Sequence, residues 1–379
     1  MSYRLTVKTS VTLAVLALGL AAPMAQAGVL SSVGKIGIGT PNRVGTVNNS
    51  GMVAGAGATS SDPGSPSHAY VTNGTALTDI GTLPGGGYSS AAAINSTGQV
   101  AGESTYAGGT DKHAFRYSGG TLTDLGTFGG SYSTATGINS SGQVVGLAST
   151  TGNATTHAFL YAGGNLSDLG TLGGTTSSAA GINDAGQVVG QALTSDGATR
   201  AFRYSGGTMS NLGTLGGSSS FAYGINNAGN VVGQAYTTAD ATAHAFLWNN
   251  NTMTDIGTLD GFKGSVARSI NSDGVIVGNA YGRVDPTSKA FIQHAFVYAN
   301  GVMKDLNSSL PPGSGWVLTE ASSINDLGQI SGFGTYNGVR QGFLFGINPT
   351  AVPEPTTLAL IGLVGAGLAF RRLRRRRSA

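Results

Sequence analysis

The sequence predicts an all-β chain, a seven-bladed β-propeller of four-stranded repeats about 45 residues long. Three observations predict it. An Ile-Asn-x-x-Gly-x-x-x-Gly unit starts at Ile94, Ile138, Ile182, Ile225, Ile270 and Ile324, with Val47-Asn48 as a seventh copy. A His-Ala-Phe unit starts at His113, His157, His244 and His294, as His-Ala-Tyr at His68, with Arg200 and Gln341 in the same slot. A Thr-Asp-Leu-Gly-Thr unit recurs around Asp79, Asp124, Asp168, Asn211, Asp255 and Asp305. Glycine is 63 of 379 residues, and its fixed offsets point to turns in a repeat rather than to low complexity.

Each period reads as four short strands, A to D. In one copy these are Ser133 to Asn139, Gln143 to Ala148, His157 to Tyr161 and Asn165 to Leu169. Asn-Ser-Ser-Gly divides A from B and Ala-Gly-Gly divides C from D, both turn-forming. The last unit finishes at Phe343-Leu344-Phe345 without a D strand, and Lys35 to Thr40 looks like an unpaired D strand at the other end. Joining the two completes a seventh blade and removes open sheet edges. An open β-solenoid is the rival arrangement, and it needs no displaced strand.

Loop lengths divide the two faces. From the Asn of strand A to the next Gly is three residues in every copy, and from the His slot to the Asp slot is eleven. The B–C and D–A connections vary, and in an up-and-down blade both lie on one face, the usual pattern for a binding surface. Two insertions stand out there. Tyr281 to Ala290 includes Arg283, Asp285 and Lys289, and Ser308 to Thr319 includes Pro311, Pro312 and Trp316. A candidate ligand rim of Tyr281, Arg283, Asp285, Lys289 and Trp316 follows, with drifted loops of no function as the alternative.

The repeat motifs resemble the HAF family of extracellular repeats, from about Gly37 to Phe345. The resemblance implies no enzymatic activity.

The chain ends read as addresses. Arg4 and Lys8 precede an uncharged apolar run, Val11 to Ala22, and Ala25-Gln26-Ala27 supplies the small-x-small pattern that signal peptidase accepts. Cleavage is expected between Ala27 and Gly28. Twelve residues at ~1.5 Å rise reach about 18 Å, too short for a permanent span. At the other end Val352-Pro353-Glu354-Pro355 leads into an apolar run, Thr356 to Phe370. Arg371, Arg372, Arg374, Arg375, Arg376 and Arg377 follow, a stop-transfer order. This order resembles the PEP-CTERM sorting signal of Gram-negative bacteria. That resemblance implies a transmembrane helix, removed by an exosortase near the Pro-Glu-Pro motif; a plain anchor without processing is the alternative. The expected organisation is signal peptide 1–27, propeller 28–346, linker 347–351 and sorting tail 352–379. The expected course is export through the inner membrane, transient anchoring, then the cell surface or the extracellular matrix of a biofilm.

Charge and chemistry narrow the function. The sequence pI is 9.1. Residues 28 to 351 nevertheless hold twelve Lys plus Arg against sixteen Asp plus Glu, so no nucleic-acid partner is expected. There is no cysteine to form a disulfide. Histidines in successive blades point apart around a ring and cannot converge on a metal, so neither a metal nor a cofactor is expected. Asn183-Asp184-Ala185-Gly186 and Asn271-Ser272-Asp273-Gly274 lack the alternating acids of a calcium loop. Neither a Gly-x-Ser-x-Gly elbow nor a phosphate-cradling Gly-Lys-Thr/Ser loop occurs. Glu103, Asp260 and Glu320 show no acid–base partner in sequence. The expectation is a non-enzymatic surface or matrix protein binding polysaccharide or protein through its variable face; an extracellular lyase or glycosidase is the alternative.

Overall fold

The computed structural model describes residues 30–32, 44–59, 65–73, 77–240, 242–283 and 291–346. They form seven four-stranded antiparallel sheets, arranged as the blades of a propeller. Six blades are continuous in sequence, at 44–81, 89–124, 129–168, 173–211, 216–255 and 264–305. The third is representative, with strands Gly129–Ile138, Val144–Thr150, Thr156–Ala162 and Asn165–Asp168. Val144, Val145, Phe159 and Tyr161 are buried there, so the β-branched and aromatic residues that favour pleated backbone also fill the core. Strand A is longer than the motif suggests, beginning at Gly129 and crossing two register shifts before Ile138.

The core lies between blades rather than within them. Seven apolar clusters each join neighbouring blades; one packs Ala93, Ala101 and Leu125 against Ala135, Val144 and Phe159. The second glycine of the Asn motif makes that packing possible. A Cβ on Gly146 would fall onto the Thr134 carbonyl oxygen and lie 2.8 Å from the Phe159 ring. The same collision awaits Gly190, Gly233, Gly278 and Gly332, and a Cβ on Gly102 would strike the Ser90 carbonyl. This glycine therefore admits the close approach of strand A and, in five blades, leaves room for the strand-C phenylalanine.

The seventh blade is closed by a strand from the start of the chain, though not the expected one. Leu30–Ser32 pairs with Val339–Gly346, Leu30 opposite Phe345 and Ser32 opposite Phe343. Lys35–Thr40 lies outside the described residues. Spacing explains the difference: Asp79, Asp124, Asp168, Asn211 and Asp255 each precede the next ring asparagine by 15 or 16 residues. Ser32 precedes Asn48 by 16, and it faces Phe343 as Asp168 faces Phe159. A closing strand at Lys35–Thr40 would leave the crossing to the first blade four residues short.

Candidate functional site

One face of the disc carries the seven A–B turns, and a closed circle of hydrogen bonds joins them. Asn48 Nδ2 donates to the Asn95 carbonyl, Asn95 to Asn139, Asn139 to Asn183 and Asn183 to Asn226. Asn226 then donates to Asn271, Asn271 to Asn325, and Asn325 back to Asn48 across 277 residues of sequence. All seven distances fall between 2.8 and 3.2 Å, and all seven side chains are buried. Each Oδ1 also accepts the backbone N–H four residues on, at 2.8–3.0 Å. Each asparagine thus ties its own turn and the next blade, which an ionised Asp, an acceptor only, cannot do.

Inside this circle lies a cavity of about 400 Å³ along the central axis. Thr136, Ala180 and Ser322 occupy equivalent wall positions in three blades, and Tyr223 and Arg268 fill them in two adjacent ones. Arg268 lies 5.3 Å over the Tyr223 ring and 3.6 Å from Glu320. The wall thus carries small side chains at three of these positions and its bulk where this cation is stacked and paired.

The five histidines are half-buried to nearly buried, and each bonds through Nδ1 to the Asp eleven residues on, at 2.7–2.9 Å. All five of those aspartates, at 79, 124, 168, 255 and 305, also accept the N–H two residues later, fixing the end of strand D. His and Asp are replaced together in the fourth blade, by Arg200 and Asn211, and Arg200 donates instead to the Ser218 carbonyl. The His–Asp pair is thus a C–D strand clasp. Among the described residues, no three His, Asp or Glu side chains converge as a metal would require.

The opposite face carries the B–C and D–A loops. The insertion between the sixth and seventh blades builds a second cavity, of about 320 Å³, lined by His294, Asn307, Leu310, the Pro311–Gly315 turn, Trp316 and Val317. Asn307 clamps the loop base, accepting from Leu318 N at 2.7 Å and donating to its carbonyl at 2.9 Å. Trp316 packs 5.4 Å from Tyr336 and 6.5 Å edge-on to Phe343, while Phe262 covers His294 at 5.1 Å. Val317, Tyr336, Val339 and Phe291 stand exposed nearby on the same face.

Among the described residues of the expected rim, Trp316 alone lines this cavity. Tyr281 turns toward the fifth blade, donating to the Ala243 carbonyl at 3.3 Å and stacking on Phe291 at 6.0 Å; burial raises its pKa. Arg283 ends strand Ile276–Arg283. Asp285 and Lys289 lie outside the described residues, as do Ala25, Ala27, Gly28, Val352, Pro353, Glu354, Pro355 and the arginines from Arg371 to Arg377. His294 was not expected here, since it sits in a slot shared by all repeats, and only the length of the neighbouring loop distinguishes it.

Glu103 also acquires partners invisible in sequence. Lys112 Nζ lies 2.8 Å from it, the Tyr88 and Tyr132 hydroxyls donate at 3.3 Å, and Lys112 covers the Tyr88 ring at 4.3 Å. Burial, then the neighbouring Glu103 charge, raises the Tyr132 pKa. This cluster joins the second and third blades, and Tyr88, Lys112 and Tyr132 each donate to Glu103 within it.

Residues 351–376 match the model of the PEP-CTERM protein-sorting motif. Comparison with curated proteins gave no match. Among solved structures, the chain is similar to the β-propeller domain of the Trilobed protease from Pyrococcus furiosus, at TM-score 0.54 and 10% identity, over 83% of this chain and all of that one. That domain is described as having an open velcro topology, whereas here Leu30–Ser32 closes the seventh sheet. Oligogalacturonate lyase from Vibrio parahaemolyticus (TM-score 0.48, 8% identity, 85% of this chain and 94% of that one) is also similar. So is a puromycin hydrolase (TM-score 0.49, 13% identity, 86% and 57%). Of these, the Trilobed protease domain alone, at a TM-score above 0.5, speaks for the fold, and at 10% identity it speaks for nothing more. The chain is thus a seven-bladed β-propeller carrying an export-sorting tail.

Proposed function

We propose that this is a non-enzymatic, HAF-type repeat protein of the cell surface or extracellular matrix, delivered by signal peptidase and exosortase processing. It binds polysaccharide or a surface protein through its variable face, centred on Trp316. Residues 1–27 leave as the signal peptide, and the disc remains after the tail is removed. The observation that carries the reading is the cavity of about 320 Å³ beneath an aromatic side chain, built by the most extended D–A connection in the chain. Large aromatic rings in a partly open pocket are the usual energetic centre of a binding surface.

A screen of residues 28–346 against glycans and surface proteins, run beside hydrolysis and elimination assays, tests the proposal. Trp316→Ala is expected to weaken the captured ligand at least about tenfold, the scale of an aromatic anchor. Glycan turnover lost in Glu103→Gln or Glu320→Gln would overturn it in favour of an enzyme. Separately, the intact mass of the extracellular form is expected to lack Arg371–Ala379.

A further inference from the structure

The direction of the last strand sets how the disc stands on the membrane before its tail is removed. Strand Val339–Gly346 starts on the variable face, where Val339 pairs with Tyr336, and ends where Gly346 pairs with Gln329. Gln329 belongs to the ring face: its N–H donates to Asn325 Oδ1 at 2.8 Å, and its side chain accepts from Asn325 Nδ2 at 2.7 Å. The strand that pairs with it begins at the same end, since Leu30 lies opposite Phe345. The chain therefore leaves the blade toward its tail beside the asparagine ring.

Little chain separates that exit from the apolar run. Gly346 and Thr356 are ten Cα steps apart, at most about 36 Å whatever conformation those residues take. With the ring toward the membrane, almost none of that reach is needed. With the variable face toward the membrane, the chain must pass outward around strand Leu30–Ser32, about 10 Å, or two strand spacings. It must then run the depth of the blade, which strand Gln329–Tyr336 sets at about 26 Å for eight residues. That takes the whole reach, fully stretched, before the loops projecting beyond the strand ends are counted.

We infer that, while tethered through its sorting tail, the disc stands with its asparagine ring toward the lipid surface and its variable loops directed away from it. The posture rests on insertion of the tail in the membrane and not on any ligand of the variable face. It presents the Trp316 cavity outward before processing, so capture of an extracellular partner does not have to wait for release. The mouth of the central cavity is turned inward over the same interval.

The absence of cysteine makes the posture measurable with single labels. Ala185→Cys and Ser195→Cys stand at opposite ends of one strand, Val188–Thr194, on the ring and variable faces, and both positions are exposed. The full chain, each variant carrying one donor dye, is inserted through its tail into phosphatidylethanolamine–phosphatidylglycerol vesicles with a headgroup acceptor. Energy transfer from the ring-face label is expected to be at least twofold greater than from the variable-face label, and the difference should vanish in protein lacking residues 347–379. Equal transfer from the two sites would mean a freely tumbling or edge-on disc and would overturn the inference, as would the reverse order. Absence of transfer from both would remove the tether itself; ligand capture by the disc would still report separately on the proposed function.

Discussion

The two faces of the disc obey different rules. On the ring face, seven turns of one length make the same bonds, and each Asn holds both its own turn and the next blade. On the variable face, the loops share no common length, and one of them encloses a cavity. In a closed ring every copy supports its neighbours, so a residue repeated in every copy records a packing need. Specific recognition has to be sought where the symmetry is broken, as at Trp316, at Glu103 and at the Tyr223–Arg268 pair.

Substitutions that strike the regular half should cost most. Gly190→Val would drive a branched side chain into the Ser178 carbonyl and the Phe202 ring, and is expected to cost more than about 4 kcal/mol, leaving no cooperative thermal transition. Asn139→Ala loses the bond to the Asn183 carbonyl and the turn bond to Gln143 N, leaving buried groups unpaired. About 2–3 kcal/mol is expected in denaturant unfolding. His157→Ala removes one partly exposed clasp, and about 1 kcal/mol should follow. Trp316→Ala inverts the order: the loop base stays clamped by Asn307, and ligand capture falls far more than stability. A loss of cooperative unfolding in that variant would mean that the Trp316 loop belongs to the regular half.

How much of this was legible in sequence follows from the range of each interaction. The strands and blade number showed because turns and strand-C phenylalanines repeat at short, fixed offsets. The His–Asp clasp was visible as an eleven-residue offset, though only the structure gave it a bond. The asparagine circle was half legible: its invariance could be read, but its partners lie 43 to 54 residues away, or 277 at the closure. Lys35–Thr40 misled because local likeness to a D strand outweighed a connection visibly shorter than its equivalents. Glu103 gained partners because Tyr88, Lys112 and Tyr132 come from three separate strands or their flanks, which a linear reading does not bring together.

The smallest expected effect lies at the mouth of the ring and depends on acid. Asp326 Oδ1 accepts from Ser272 N at 2.9 Å, and its Oδ2 accepts from Asn49 at 2.9 Å across the closure. Asp184 makes the matching contacts with Ser140 and Asn227. For both, partial burial raises the carboxyl pKa, but these hydrogen bonds outweigh it and hold the pKa below the ordinary 3.8. A carboxyl depressed in the folded state stabilises the fold above its unfolded pKa, near 3.9, and loses that contribution as pH falls through the folded value. Asp326→Asn keeps the shape but removes the titration. Between pH 5 and 3 its melting temperature should therefore decline less than that of the parent, by about 1–2 °C, because these groups are solvent-exposed. Parallel profiles would mean that the invariant asparagines hold the ring alone, and that the acids beside them belong with the variable features of the disc.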